Sequence, residues 1–155
     1  MSHKLSNRRP TSASLKTEAW TPGDKLQLDA LVGACALVAH ADGWVTAEER
    51  RRLVARVQGL PALGLFGVDE AVQAFEALID RFDKDPDDGE AVAEAAILRL
   101  RGRPGPAYLL VAAACSIAAA DGGFDAEERA AILRICDLLD LEADAFDLVA
   151  ARGRR

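Results

Sequence analysis

Asp42 and Glu49 bracket one short loop of this 155-residue chain, and Asp121 and Glu128 bracket its twin. The two loops sit in stretches 79 residues apart, ADGWVTAEER at 41–50 and ADGGFDAEER at 120–129, identical at seven of ten positions. If the two copies pack side by side, four carboxylates converge. Two such charges about 4 Å apart repel by roughly 4 kcal/mol at an effective dielectric of 20. A fold that brings them together must protonate one group or hold a cation. The candidate ligands are hard oxygens, which suit calcium, magnesium or manganese better than zinc. His40 precedes Asp42 by two residues, but its counterpart in the second copy is Ala119.

Part of the doubled motif has a plainer purpose. Thr46 and Asp125 are good helix N-caps, and Glu49 and Glu128 lie three residues on, the spacing of a capping box. Glu48 and Glu127 add negative charge in the first turn, where the helix dipole favours it. Asp42 and Asp121 are different, because a carboxylate at a helix C-terminus faces the wrong end of that dipole. Between the copies, DKDPDDGEAVAE at 83–94 places Asp83, Asp85, Asp87 and Glu94 at EF-hand ligand positions. Asp88 occupies the position that demands glycine, and Pro86 interrupts the loop, so a helix capped by Asp87, with Glu90 completing a capping box, is the better expectation. Asp83 and Asp85 remain candidates for a shared acidic surface.

The elements that must position these residues read as helices. Leu28, Leu31, Val32, Cys35 and Val38 recur at steps of three and four, predicting a first helix from Asp24 to about Ala41. A second starts after Thr46 and runs to about Val57, and QGLPALGLFG reads as a connector. A third shows Val68, Val72, Phe75, Ile79 and Phe82 on one face. A fourth spans about Asp88 to Arg101, with Val92, Ala95, Ala96 and Leu100 as its stripe. RGRPGP then breaks the chain. Further helices are expected from about Pro106 to Ala120, from Ala126 to Leu139, and from near Glu142. The expected fold is all-α: a single-domain bundle of about seven helices with two related helix–turn–helix units, one in each half. Residues 1–23 read as a disordered leader, 24–151 as the helical domain and 152–155 as a basic tail.

Composition narrows the function. Half the residues are apolar and few are aromatic, so helix is favoured over strand. The net charge is −6, yet residues 1–20 and the last five each carry +3, leaving −12 on the body. An acidic body repels phosphate backbones, which argues against nucleic acid and for cations or basic partners. Cys35, Cys115 and Cys136 fall at apolar helix positions without a CxxC pair, so they read as small core residues rather than a disulfide framework. No signal-peptide pattern and no membrane-length apolar run is present, consistent with a cytoplasmic protein. GxxxxGK[ST], GxGxxG, GxSxG and HExxH are all absent, and with two histidines there is almost no partner for a nucleophile. We therefore expect no enzyme; a metal-assisted hydrolase built on paired carboxylates is the weakest reading.

Two copies of ADGx[VF]xxEER, each after an alanine-rich apolar helix, resemble the tellurite-resistance protein TerB family. VQAFEALIDRFDKDPDDG is similar to that family's phenylalanine-rich helix running into an acidic segment, AAILRLRG to the helix after it, and EERAAILRICDLLDLEADAFDLV to its closing stretch. The resemblance covers about Lys25 to Val149. It implies an all-α fold of about seven helices and a cytoplasmic protein of the tellurite-resistance system, linked also to phage and colicin resistance. It implies work beside the integral membrane partner TerC and calcium-binding TerD-type proteins, with membrane association only through a partner. It marks the clustered acidic residues as candidates for holding a divalent cation: Asp42, Glu49, Asp121 and Glu128, joined by Asp83 and Asp85. The alternative is a metal-free helical interaction module whose acidic surface docks a basic partner.

Overall fold

A computed structural model describes residues 24–41, 43, 45–119 and 125–143. Among these residues there are six α-helices and no strand. The helix expected from near Glu142 lies outside the described residues beyond Ala143.

Helix α1 (Lys25–Ala39) starts at Asp24, whose side chain accepts hydrogen bonds from the Leu26 and Gln27 amides. Eleven of its fifteen residues are buried, so it is apolar on nearly every side and occupies the centre of the bundle. Helices α3 (Val68–Lys84), α4 (Pro86–Leu98), α5 (Pro104–Ala119) and α6 (Ala126–Leu139) all pack against it. The approach to α4 is close. A Cβ on Gly33 would stand 3.0 Å from the Ala93 carbonyl oxygen, so glycine is what lets the two backbones meet.

Helix α2 (Ala47–Gln58) is amphipathic and buries only Leu53 and Val57. The stretch expected as a bare connector holds a 3-10 turn, Pro61–Leu65, which seats Leu63 in the core, with Phe66 buried just beyond it. In α3 the buried face is Ala71, Phe75, Leu78, Ile79 and Phe82, whereas Val68 at the first position is exposed.

Helix α4 departs most from expectation. It begins at Pro86, not Asp88, and its N-cap is Asp85, not Asp87. Proline suits the first helical position, because its fixed φ is helical and its missing N–H has no partner to lose. The register moves accordingly: Gly89, Ala93, Ala96 and Ile97 are buried, while Val92 and Ala95 face outwards. A helix over 86–94 also overturns an EF-hand loop there.

The duplication is visible in burial. Leu53 and Val57 of α2 are buried, and so are their counterparts Ile132 and Cys136 of α6; Val54 and Leu133 are half-buried in both units. In each unit an apolar helix precedes a capped one, and both units feed one core.

Candidate acidic site

Both capping boxes form. The Thr46 amide donates to Glu49 Oε1 at 3.0 Å and the Glu49 amide donates to Thr46 Oγ1 at 3.1 Å. In the twin, the Asp125 amide donates to Glu128 Oε1 at 3.2 Å and the Glu128 amide to Asp125 Oδ1 at 2.7 Å. The Thr46 amide, then its hydroxyl, hold the Glu49 carboxyl below the usual range, so it is ionised at neutral pH.

The arginine closing the first motif ties α2 to α3. Arg50 Nη1 donates to Asp80 Oδ1 at 2.9 Å and Nη2 donates to the Glu76 carbonyl at 3.3 Å. Asp83 Oδ2 lies 4.0 Å from the same guanidinium, so a cation already neighbours that carboxylate. Asp85 is occupied as the α4 N-cap, its Oδ1 accepting from the Asp88 amide at 3.4 Å. Asp42 and Asp121 lie outside the described residues. Among the described residues no three His, Cys, Asp or Glu side chains gather as a metal-holding group.

What the fold does assemble is centred on His40, at the C-cap of α1. Its ring stacks on Phe82. Phe82 in turn fits over Gly89, where a Cβ would fall 2.7 Å from the phenyl Cγ. His40 Nδ1 lies 3.0 Å from the Ala36 carbonyl. A carbonyl only accepts, so Nδ1 carries the proton and Nε2 presents a lone pair in the neutral ring. Nε2 is buried and has no hydrogen-bond partner among the described residues. Burial lowers the pKa of this histidine, against the raising effects of the Ala36 carbonyl and the Asp83 charge.

Two cavities flank the stack. One, of 240 Å³, is lined by His40, Gly43, Phe82, Pro86, Asp87 and Glu90. The other, of 270 Å³, shares His40, Phe82 and Glu90 and adds Ala41 and, from α6, Glu127 and Arg134. The turn of the first motif and the first helical turn of the second therefore face one space. Beside it, Arg134 ion-pairs with Glu94, linking α6 to α4.

Sequence reasoning missed Asp87, Glu90 and Glu127 as members of this site. Glu127 had a sufficient explanation in the helix dipole. The place of Asp87 and Glu90 depends on how the α3–α4 hairpin folds back onto α1. Each cavity presents two carboxylates beside His40: Asp87 and Glu90 in one, Glu90 and Glu127 in the other. The described donors do not complete a coordination sphere by themselves.

The fold and site define an all-helical protein with an internal repeat, in which Ala41 of the first copy and the start of α6 in the second border one cavity. The chain belongs to the tellurite resistance protein TerB family, whose model matches residues 28–151. It is similar to the tellurium resistance protein TerB of an Alcaligenes species, with 28% identity over 86 residues, 56% of this chain and 70% of that protein. No solved structure matches the chain. Membership of the family supports a function related to tellurite resistance. Among the described residues no helix is long and apolar enough to cross a membrane.

Proposed function

We propose that this protein serves tellurite resistance from the cytoplasm by holding a divalent cation, calcium, magnesium or manganese, at its acidic end. It presents that end to protein partners, a TerC-like membrane protein and TerD-like proteins, at the inner face of the membrane. The observation that carries the reading is the common space faced by Ala41 of the first motif and Glu127 of the second, with Glu90 between them. Asp42 and Asp121, together with the Glu49 and Glu128 carboxylates, supply the remaining oxygens in this reading. Calorimetric titration with the three ions tests it. We expect heat of binding and a melting temperature that falls on chelation. A protein that gives neither has no tight site.

A second reading is favoured by the capping boxes and by Arg50. Glu49, Glu128 and Asp85 all have structural duties, as they would in a metal-free module whose acidic end docks a basic partner. Replacing Asp42 and Asp121 with Asn separates the two. Lost cation response with partner binding retained supports the first; weakened docking with no cation response to lose supports the second.

A further inference from the structure

Helices α3 and α4 leave a groove of 420 Å³ between them, lined by Leu78 and Arg81 of α3, Val92 and Ala96 of α4 and its C-cap Arg99, with Val32 of α1 also contributing. The outward side of α4 beside it exposes Ala91, Val92, Ala95 and Leu98, with Asp87, which also borders the His40 cavity, at its start and the C-cap Arg99 at its end. Four large apolar side chains are exposed among the described residues, and two of them, Val92 at 36% and Leu98 at 42%, are on this face. Charge is distributed unevenly along it. Asp87 stands at the N-terminal end. Arg99, Arg101 and Arg103 cluster at the C-terminal end, and none of the three is ion-paired among the described residues. Asp87 and Arg99 are separated by about 18 Å of helix at 1.5 Å per residue.

A helix face that runs from negative through apolar to positive is complementary to its own inverse. Turned end for end, each charged end meets its opposite and the apolar middles coincide; laid parallel, like charges meet. We propose that this face is a self-association surface, taking a second copy of the chain in a two-fold arrangement with the α4 helices antiparallel. In it, Arg99 and Arg101 of each copy lie opposite the partner's Asp87, and Val92 and Leu98 of each cover the groove of the other. A two-fold interface of this kind closes on itself and stops at the dimer. The inference goes beyond the cation reading and does not depend on it.

Sedimentation equilibrium of the full chain is the test. The mass should rise with concentration from 16.5 kDa towards twice that value and go no further. The double variant Arg99→Glu/Arg101→Glu and the single variant Asp87→Arg should each self-associate at least about tenfold more weakly. Mixed together, the two variants should dimerise again, because the arginine variant carries carboxylates at positions 87, 99 and 101 and the Asp87 variant carries guanidinium groups at all three. Circular dichroism confirms that each is folded before mixing. A wild-type chain monomeric into the millimolar range overturns the proposal, as does a mixture of folded variants that stays monomeric. So does binding to phosphatidylglycerol vesicles, or to an acidic helical peptide, that is lost in the arginine variant and unchanged in Asp87→Arg while the wild type remains monomeric. That pattern would make the arginines a plain anion-binding corner.

Discussion

The imidazole of His40 lies flat on the ring of Phe82, with centroids 4.1 Å apart and planes 7° from parallel. This contact joins the end of α1 to the end of α3 and forms the wall between the two acidic cavities. Whatever those cavities hold, its geometry depends on how firmly Phe82 is seated.

Phe82→Ala should therefore cost about 3–5 kcal/mol, the range for deleting a buried phenylalanine. Gly89→Ala provides a sharper test. At an ordinary helical position that change stabilises by up to about 1 kcal/mol. Here the new methyl meets the Phe82 ring, so we expect a net loss of about 1–3 kcal/mol, the usual cost of overpacking. Urea denaturation of the two variants checks both values, and a stabilised Gly89→Ala would show that Phe82 moves aside freely.

The two roles of Glu49 can be separated by Glu49→Gln. Glutamine still accepts the Thr46 amide hydrogen bond, so the capping box persists without the charge. At pH 7 Glu49→Gln should lose only the contribution of the charge, less than Thr46→Ala, which should lose about 0.5–2 kcal/mol. If Glu49 also holds a cation, Glu49→Gln should blunt the response to calcium or manganese. Thermal melts with and without each ion measure both effects.

Acid should weaken the first helix cap in a defined direction. The folded pKa of Glu49 is depressed, so its contribution is present above the unfolded glutamate pKa, about 4.3, and disappears as pH falls through the folded value. The stability difference between wild type and Glu49→Gln should be constant from pH 7 to about 5 and shrink below pH 4. A difference that grows on acidification would contradict the assignment.

The three thiols should be inert in the native protein. Burial pushes Cys35 up to about 12, and Cys115 and Cys136 up to about 11. Thiolate is scarce at pH 8, and the half-buried Cys115 should label first. Reaction with a chromogenic disulfide should accelerate by orders of magnitude in denaturant, releasing all three together.

Much of the scaffold can be read from local signals. Helix α6 was predicted to the residue, and α2 within a residue or two, because their boundaries are set by capping boxes contained in four consecutive positions. Helix α4 was misplaced because Asp85 and Asp87 are both plausible caps, and only the preference of Pro86 for the first turn decides between them. Half of its stripe differs too: Ala96 and Leu100 are buried as expected, but Val92, a core residue by type, is exposed, and Ala93 faces α1, where Gly33 allows a close approach that only a small side chain can use. The doubled motif foretells both capping boxes, while Asp42 and Asp121 lie outside the described residues. Asp87, Glu90 and the Phe82 stack were not legible, since their proximity comes from a hairpin folding across α1 and not from spacing along the chain.

The position of α1 also constrains biosynthesis. Its partners include α5 and α6, the last described helices to leave the ribosome. Until they arrive, the side of α1 that they cover is open to water, which invites chaperones or aggregation. The two halves, though descended from one unit, can no longer live apart: a fragment ending before Pro104 should precipitate rather than persist as a smaller bundle.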